Sequence, residues 1–314
     1  MRNLLEIRLL PPLAVAAIFV TLPWFFPSAY YYRIGALVFI FALAVAGLNL
    51  LMGFAGQVSL GHAGFLGIGA YSVAVGPAHL GMPSWLCVFA GAALSAIVAF
   101  LVGRPILRLK GHYLAVATLG FGLLVAIVLT NEAGLTGGPD GMTVPRLLLF
   151  GWSVRGSDVW YWITGATFIV GFVLALNLMK SPTGRALQAI HDSEIAARLL
   201  GIDIARKKLA IFIISAVYAS VAGSYLALFN GHVTPDVAGF LRSIELVAMV
   251  VLGGMGSILG SLVGAGLLVV LPQALTIFHE YEQALLGLIL IVFMIFLRRG
   301  IVPSVAAVVS GWRK

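Results

Sequence analysis

Charge is what this 314-residue sequence most lacks: Asp, Glu, Lys and Arg make up 10% of it, against roughly 25% in a soluble domain. So little charge does not coat a globule. With 61% hydrophobic residues and a mean hydropathy of +1.08, the chain belongs in a bilayer. Cysteine is nearly missing too. Cys87 stands alone, which excludes an internal disulfide and a cysteine-based metal cluster. No polar stretch is long enough for a second, water-soluble domain, so residues 1–314 read as one transmembrane domain without an attached soluble catalytic unit. Catalytic patterns are absent as well: there is no Walker-type phosphate loop, no H-E-x-x-H and no G-x-S-x-G. Residues 67–71 read G-I-G-A-Y but lack the third glycine and the βαβ setting of a dinucleotide fingerprint. What is plentiful is backbone freedom. The 37 glycines and 13 prolines suit a bundle of closely packed and broken helices.

The net charge of +8 is spread in patches, at Arg104, Arg108 and Lys110, from Lys180 to Lys208, and at Arg298, Arg299, Arg313 and Lys314. Apolar runs separate the patches, which excludes a single nucleic-acid face. Short loops rich in Lys and Arg stay on the inner side of a membrane, so the patches set topology. Apolar runs at 9–26, 34–52, 60–79, 85–102, 113–130, 160–179, 209–229 and 285–297 predict an all-α bundle of eight full spans. The run at 9–26 fits a signal peptide or a first span. Pro11, Pro12 and the lack of a small-residue cleavage site favour the span, which places both termini inside. Residues 131–159 then form an outer segment and 180–208 an inner loop. Residues 243–278 must supply one or two further short helices, crossing twice or turning back as a re-entrant hairpin.

Two glycine-rich segments mark candidate helix breaks. In the first, Gly53, Gly56 and Gly61 punctuate Gln57, Ser59 and His62; in the second, Gly253, Gly254 and Gly256 precede Ser257 and Ser261. Unwound backbone at membrane depth survives only where protein buries it or water lines it, and paired breaks in a transporter point to its pathway. The plainer reading is close helix packing. The polar cluster Gln57, Ser59 and His62 tips the first break toward a translocation pathway. A lone histidine such as His62 more often bonds a carbonyl than binds a ligand, and no second ligand stands at metal spacing, so no metal is expected. Glu245 lies three residues after Arg242, which predicts an ion pair on one helix face; the sharper alternative makes Glu245 part of a polar entrance.

The inner loop carries the strongest pattern. Ser181 is placed to cap a helix beginning at Pro182, and Gly201 to stop it. Between them the spacing predicts one helix of about 19 residues with Glu194 and Arg198 paired i,i+4. Asp203 is placed to cap the next span. Small residues Ala186, Ala189, Ala196 and Ala197 would let another protein approach closely. The plainer reading is a helix resting on lipid headgroups, for which Asp192 and Glu194 are unhelpful.

The stretch E-I-A-A-R-L-L-G-I, residues 194–202, resembles the E-A-A-x-x-x-G signature of ATP-binding-cassette (ABC) importer permeases, whose cytoplasmic helix docks on an ATPase subunit. Four blocks in order resemble, more narrowly, the LivM-type permeases of branched-chain amino-acid importers: residues 53–71, L-T-G-G-P-D-G-M at 135–142, G-R-A-L-Q-A-I at 184–190 and V-V-L-G-G-M-G-S-I-L-G at 250–260. The resemblance implies a bacterial inner-membrane protein with partners: a second, LivH-like permease, two ATPase subunits, and a periplasmic or lipid-anchored binding protein. It implies that ATP and Mg sit on the ATPases, with no cofactor on this chain, and that Arg185, Asp192, Glu194, Ala196, Ala197 and Gly201 form the coupling site. His191 departs from the Arg more usual there, and E-I-A-A from E-A-A. The competing class, an ion-coupled transporter or channel without an ATPase, needs a buried ionisable group in a span, for which Glu245 is the candidate.

Overall fold

The computed structural model describes residues 15–17, 19–24, 28–149, 152–275, 287–289, 291–293, 295 and 299–311. Among the described residues, seven helices are long and apolar enough to cross a membrane. They are α1 (Ala29–Asn49, continued by a π-helix over Leu50–Phe54), α2 (His62–Leu80), α3 (Ser84–Ile106), α4 (His112–Asn131), α5 (Ser157–Lys180), α8 (Ile204–Asn230) and α10 (Ile258–Leu275). Two helices of the loop between α5 and α8, α6 (Pro182–Asp192) and α7 (Glu194–Leu199), lie outside these spans, as does the 14-residue α9 (Phe240–Gly253). A last helix, α11, covers Ile301–Gly311. The predicted first and last spans, 9–26 and 285–297, are described only in part, and Arg298, Arg313 and Lys314 lie outside the described residues.

Local signals start and stop these helices. Ser28 caps α1 by accepting from the Tyr30 N–H, and Asp203 caps α8 through Arg206 N–H at 3.1 Å. Gly81 and Gly231 end α2 and α8 in the left-handed conformation that glycine alone adopts freely.

The α2 helix lies at the centre, packed on α8, α3 and α4, while α1 packs on α5, α8 and α10. Where α2 meets α8 the backbones touch: a Cβ on Gly69 would collide with the Ser220 carbonyl, and one on Gly223 with that of Leu66. Small residues drive helix association where no hydrophobic effect is left to do so. The Ser224 hydroxyl donates to the Gly69 carbonyl at 2.9 Å across the same contact. On the far side of α1, Phe39, Tyr161 and Phe168 form an edge-and-stack cluster with Phe19.

Three features differ from the sequence expectation. Residues 243–275 break at Gly253–Gly256 into two antiparallel helices as expected, but the two are unequal instead of both short. The α9 helix reaches only about 21 Å at 1.5 Å per residue, whereas the 18 residues of α10 make a full-length helix of about 27 Å. The chain arrives at α9 through an inward-turning loop, whose 3-10 turn Pro235–Ala238 packs on Gly67 of α2. The predicted single helix over 181–200 is two, because Ser193 turns extended (φ −161°) and its hydroxyl caps α7 by accepting from Ala196 N–H. Finally, among the described residues four two-residue strands interrupt the all-α pattern. β2 (Leu148–Leu149) pairs antiparallel with β3 (Trp152–Ser153), and β1 (Met142–Thr143) with β4 (His232–Val233), tying the 131–159 segment to the loop after α8. Backbone groups in a connection without a helix still need partners, and short ladders supply them.

Candidate translocation and coupling site

The first break begins where α1 widens into the π-helix, a geometry frequent at functional sites. Gly56 then turns to φ +66° against the His191 imidazole of α6, and the chain runs unwound to Gly61. Neighbouring helices satisfy the backbone freed at the start of α2. Leu60 N–H donates to the Thr118 hydroxyl of α4 at 3.1 Å, and Ala63 N–H to the Ser243 hydroxyl of α9 at 3.3 Å.

His62 is held on both sides. Its Nε2 lies 2.9 Å from Ser215 Oγ and its Nδ1 2.8 Å from Ser59 Oγ. The single Ser215 proton goes to the Phe212 carbonyl at 2.8 Å, so Ser215 must accept from His62 Nε2–H, and Ser59 donates to Nδ1. Phe65 and Phe212 close the ring edges. Both nitrogens are therefore used within the chain. Gln57 is the opposite case: only 2% exposed, it has no hydrogen-bond partner for either amide atom, while its backbone N–H donates to Leu51. A buried amide with nothing to bond costs about 1–3 kcal/mol per orphaned group.

The second break is a tight turn between antiparallel α9 and α10, and it docks on the first. Gly53 approaches the backbone of Gly256 so closely that a Cβ there would collide with the Gly256 nitrogen. Asn49, fully buried in α1, binds the turn. Its Nδ2 donates to the carbonyls of Ser257 (2.8 Å) and Gly254 (3.3 Å) and lies 3.3 Å from Ser261 Oγ, and its Oδ1 accepts from Gly256 N–H at 2.9 Å. Gly254 and Gly256 have φ of +114° and +78°, open to glycine and strained for other residues.

Outside the spans, α6 rests its apolar face, Leu187 and Ile190, on the bundle and leaves Arg185 and Asp192 exposed. Glu194 pairs not with Arg198 but with Lys208 at the base of α8 and, at 3.7 Å, with Lys110 from the α3–α4 loop. The Lys208 hydrogen bond and the surrounding charges hold the Glu194 carboxyl below the usual carboxylate range, against the opposing effect of burial. Lys207 Nζ donates to the Thr183 hydroxyl at 3.1 Å and so ties α8 to α6 as well as to α7. Ala197 is buried against the chain itself while Ala196 is exposed, and Gly201 takes φ +79° after α7. The outward face of α7 is apolar: Ile195, Leu199 and Leu200 are each more than three-quarters exposed.

The structure thus brings Ser59 and His62 together, sets Gly53 against Gly256, and joins Gly56 to α6. It does not bring Glu245 to the first break; Ser243 of α9 meets it, and Glu245 pairs with Arg242 at 2.6 Å as the spacing predicts. Sequence reasoning passed over Asn49, Lys208 and Ser215. The signal for Asn49 was present: one amide amid the apolar run 34–52 has to be bonded or used.

Seven apolar helices, with unwound backbone between α1 and α2 and between α9 and α10 and a polar helical pair outside the spans, define a multi-pass membrane protein. The family described as "Branched-chain amino acid transport system / permease component" matches residues 30–294, and the chain belongs to it. It is 35% identical over 294 residues to the high-affinity branched-chain amino acid transport system permease protein LivM of Salmonella typhimurium, covering 86% of this chain and 69% of that one. The LivM protein of Escherichia coli strain K12 is 36% identical with the same coverage. The LivH permease of Salmonella typhimurium is 29% identical over 286 residues, 83% of this chain and 90% of its own length. No solved structure matches the chain significantly.

Proposed function

We propose that the chain is a permease subunit of an ABC importer for branched-chain amino acids in the bacterial inner membrane, with α6, α7 and both termini on the cytoplasmic side. On this reading it pairs with a LivH-like permease, two ATPase subunits hold ATP and Mg, and a periplasmic or lipid-anchored binding protein delivers the substrate. No catalytic step and no cofactor fall to this chain. The observation that carries the reading is the α6–α7 pair: a helix outside the spans displays Ile195, Leu199 and Leu200, and exposed apolar side chains so arranged mark a surface another protein covers.

Force applied there has a path inward. Glu194 and Lys208 join α7 to the base of α8, His191 joins α6 to Gly56, and the Asn49 contacts join that break to the α9–α10 turn. A transport switch needs two states that the partners contact differently; the π-helix and the positive-φ glycines Gly56, Gly254 and Gly256 supply hinges. The ion-coupled alternative loses support because the carboxylate of Glu245 is engaged by Arg242.

The test is the double change Ile195→Asp and Leu199→Asp in the reconstituted complex. Substrate-stimulated ATP hydrolysis should fall at least about tenfold, as expected when buried apolar anchors are lost from an interface, while the subunit still inserts. Full stimulation, or uptake by the purified chain without nucleotide, would refute the assignment.

A further inference from the structure

At the end of the bundle opposite α6 and α7 lies a cavity of about 510 Å3, walled by the starts of α1 and α5, the end of α8 and the residues that flank β2 and β3, Arg146, Leu147, Val154 and Arg155. Three arginines line it, Arg33, Arg146 and Arg155, and no acid does. Among the described residues none of the three takes part in an ion pair. At the other end Lys110, Arg206 and Lys208 pair with Glu194 or Asp203, while Arg104, Arg108 and Arg198 form no ion pair among the described residues. Gly156 and Ser157 line the cavity at the start of the 24-residue α5, where no side chain caps the helix end and the first-turn Asp158, which lies against Gly156, stands outside the lining. Leu147, Val154 and Leu228 form an apolar floor beside the Trp160 ring.

Depth decides what kind of anion meets it. At 24 and 27 residues, α5 and α8 measure about 36 and 40 Å, longer than the ~30 Å hydrocarbon core, so their ends lie among the headgroups. Exposed Tyr30, Tyr31 and Trp162 sit at the same level, where interfacial aromatics gather. We propose that this cavity binds the phosphate group of an anionic membrane lipid, with the guanidiniums of Arg33, Arg146 and Arg155 and the α5 N-terminus facing the phosphate, and the apolar floor facing the glycerol end of the chains. Guanidinium forks fit phosphate oxygens in pairs, which ammonium groups do not. The site lies away from both helix breaks and is independent of the transport reading.

The experiment uses the full-length protein in neutral detergent, titrated with phosphatidylglycerol, phosphatidylcholine, inorganic phosphate or poly-glutamate, and followed by native mass spectrometry and the fluorescence of Trp160 against a Trp160→Phe control. Phosphatidylglycerol should bind at least about tenfold more tightly than phosphatidylcholine, as a charge-assisted contact requires. The triple change Arg33→Gln, Arg146→Gln and Arg155→Gln should abolish that preference. The matching triple Lys variant, which keeps charge and fold, should restore part of it. Equal binding of both lipids, or retained preference in the Gln variant, overturns the proposal. Inorganic phosphate binding as tightly as the lipid reassigns the site to a soluble anion, and poly-glutamate binding in preference to both reassigns it to an acidic protein; either result also overturns it.

Discussion

The two helix breaks look alike in sequence and differ in how their polar groups end up. The second is fully bonded: Ser257 Oγ accepts from Gly260 N–H at 3.1 Å, and Asn49 takes up the Ser257 and Gly254 carbonyls and the Gly256 N–H. The first leaves both amide atoms of Gln57 buried and unbonded, beside a histidine whose nitrogens are both spoken for. Glycine at membrane depth therefore has two uses. At 253–256 it lets backbones close on a lock, and at 56–61 it carries the chain past one buried side chain, the Gln57 amide, that finds no partner.

The largest effect separating the two should come from Asn49→Leu. It strands the Gly256 N–H and two carbonyls in a buried site, and we expect about 3 kcal/mol or more of lost stability, read as a lower thermal unfolding temperature in detergent. Unfolding at the parental temperature would show that the second break is no lock. Next is Gln57→Leu. An orphaned amide replaced by an apolar group of similar size should leave stability unchanged or raised, while substrate uptake by the reconstituted complex falls about tenfold, the cost of one lost hydrogen-bonding group in the path. Normal uptake would reduce the first break to packing.

The smallest effect concerns the support beneath the first break. The carboxyl of Glu194 is held below its ordinary range by Lys208, so its charged form favours the folded arrangement. That contribution is complete above the ordinary carboxylate pKa and is lost as pH falls through the depressed value. Hydrogen exchange in residues 194–200, corrected for intrinsic rate, should rise a few-fold over that acid range, a modest change for a partly exposed pair. Residues 254–257 should not respond. Glu194→Gln should erase the pH dependence, and a response surviving in that variant would remove Glu194 from the account.

Much of this was legible in the order of residues. Six spans stand where apolar runs of 18 or more residues placed them, because a bilayer demands that length and leaves little choice of structure. The caps at Ser181 and Asp203, the stop at Gly201 and the Arg242–Glu245 pair follow from rules that act within four residues. The failures are of longer range. Nothing near Glu194 shows that Lys208, 14 positions on, outcompetes Arg198. The inward course of residues 231–239 depends on Gly67 giving room to Ala238, a contact that no local pattern reveals. The break at Ser193 was readable in principle, since D-S-E is a capping sequence inside a helical stretch; the helical period on either side hid it.

The π-helix at Leu50–Phe54 carries one more residue per turn's worth of rise than an ordinary helix would. Each residue of an α-helix advances the face by about 100°. Removing a single residue there would restore regular pitch and swing the amide of Asn49 about a quarter-turn away from Gly256. The meeting of the two breaks is thus written in the count of residues between 49 and 56 as much as in their identities, and shortening that stretch is a change no side-chain substitution imitates.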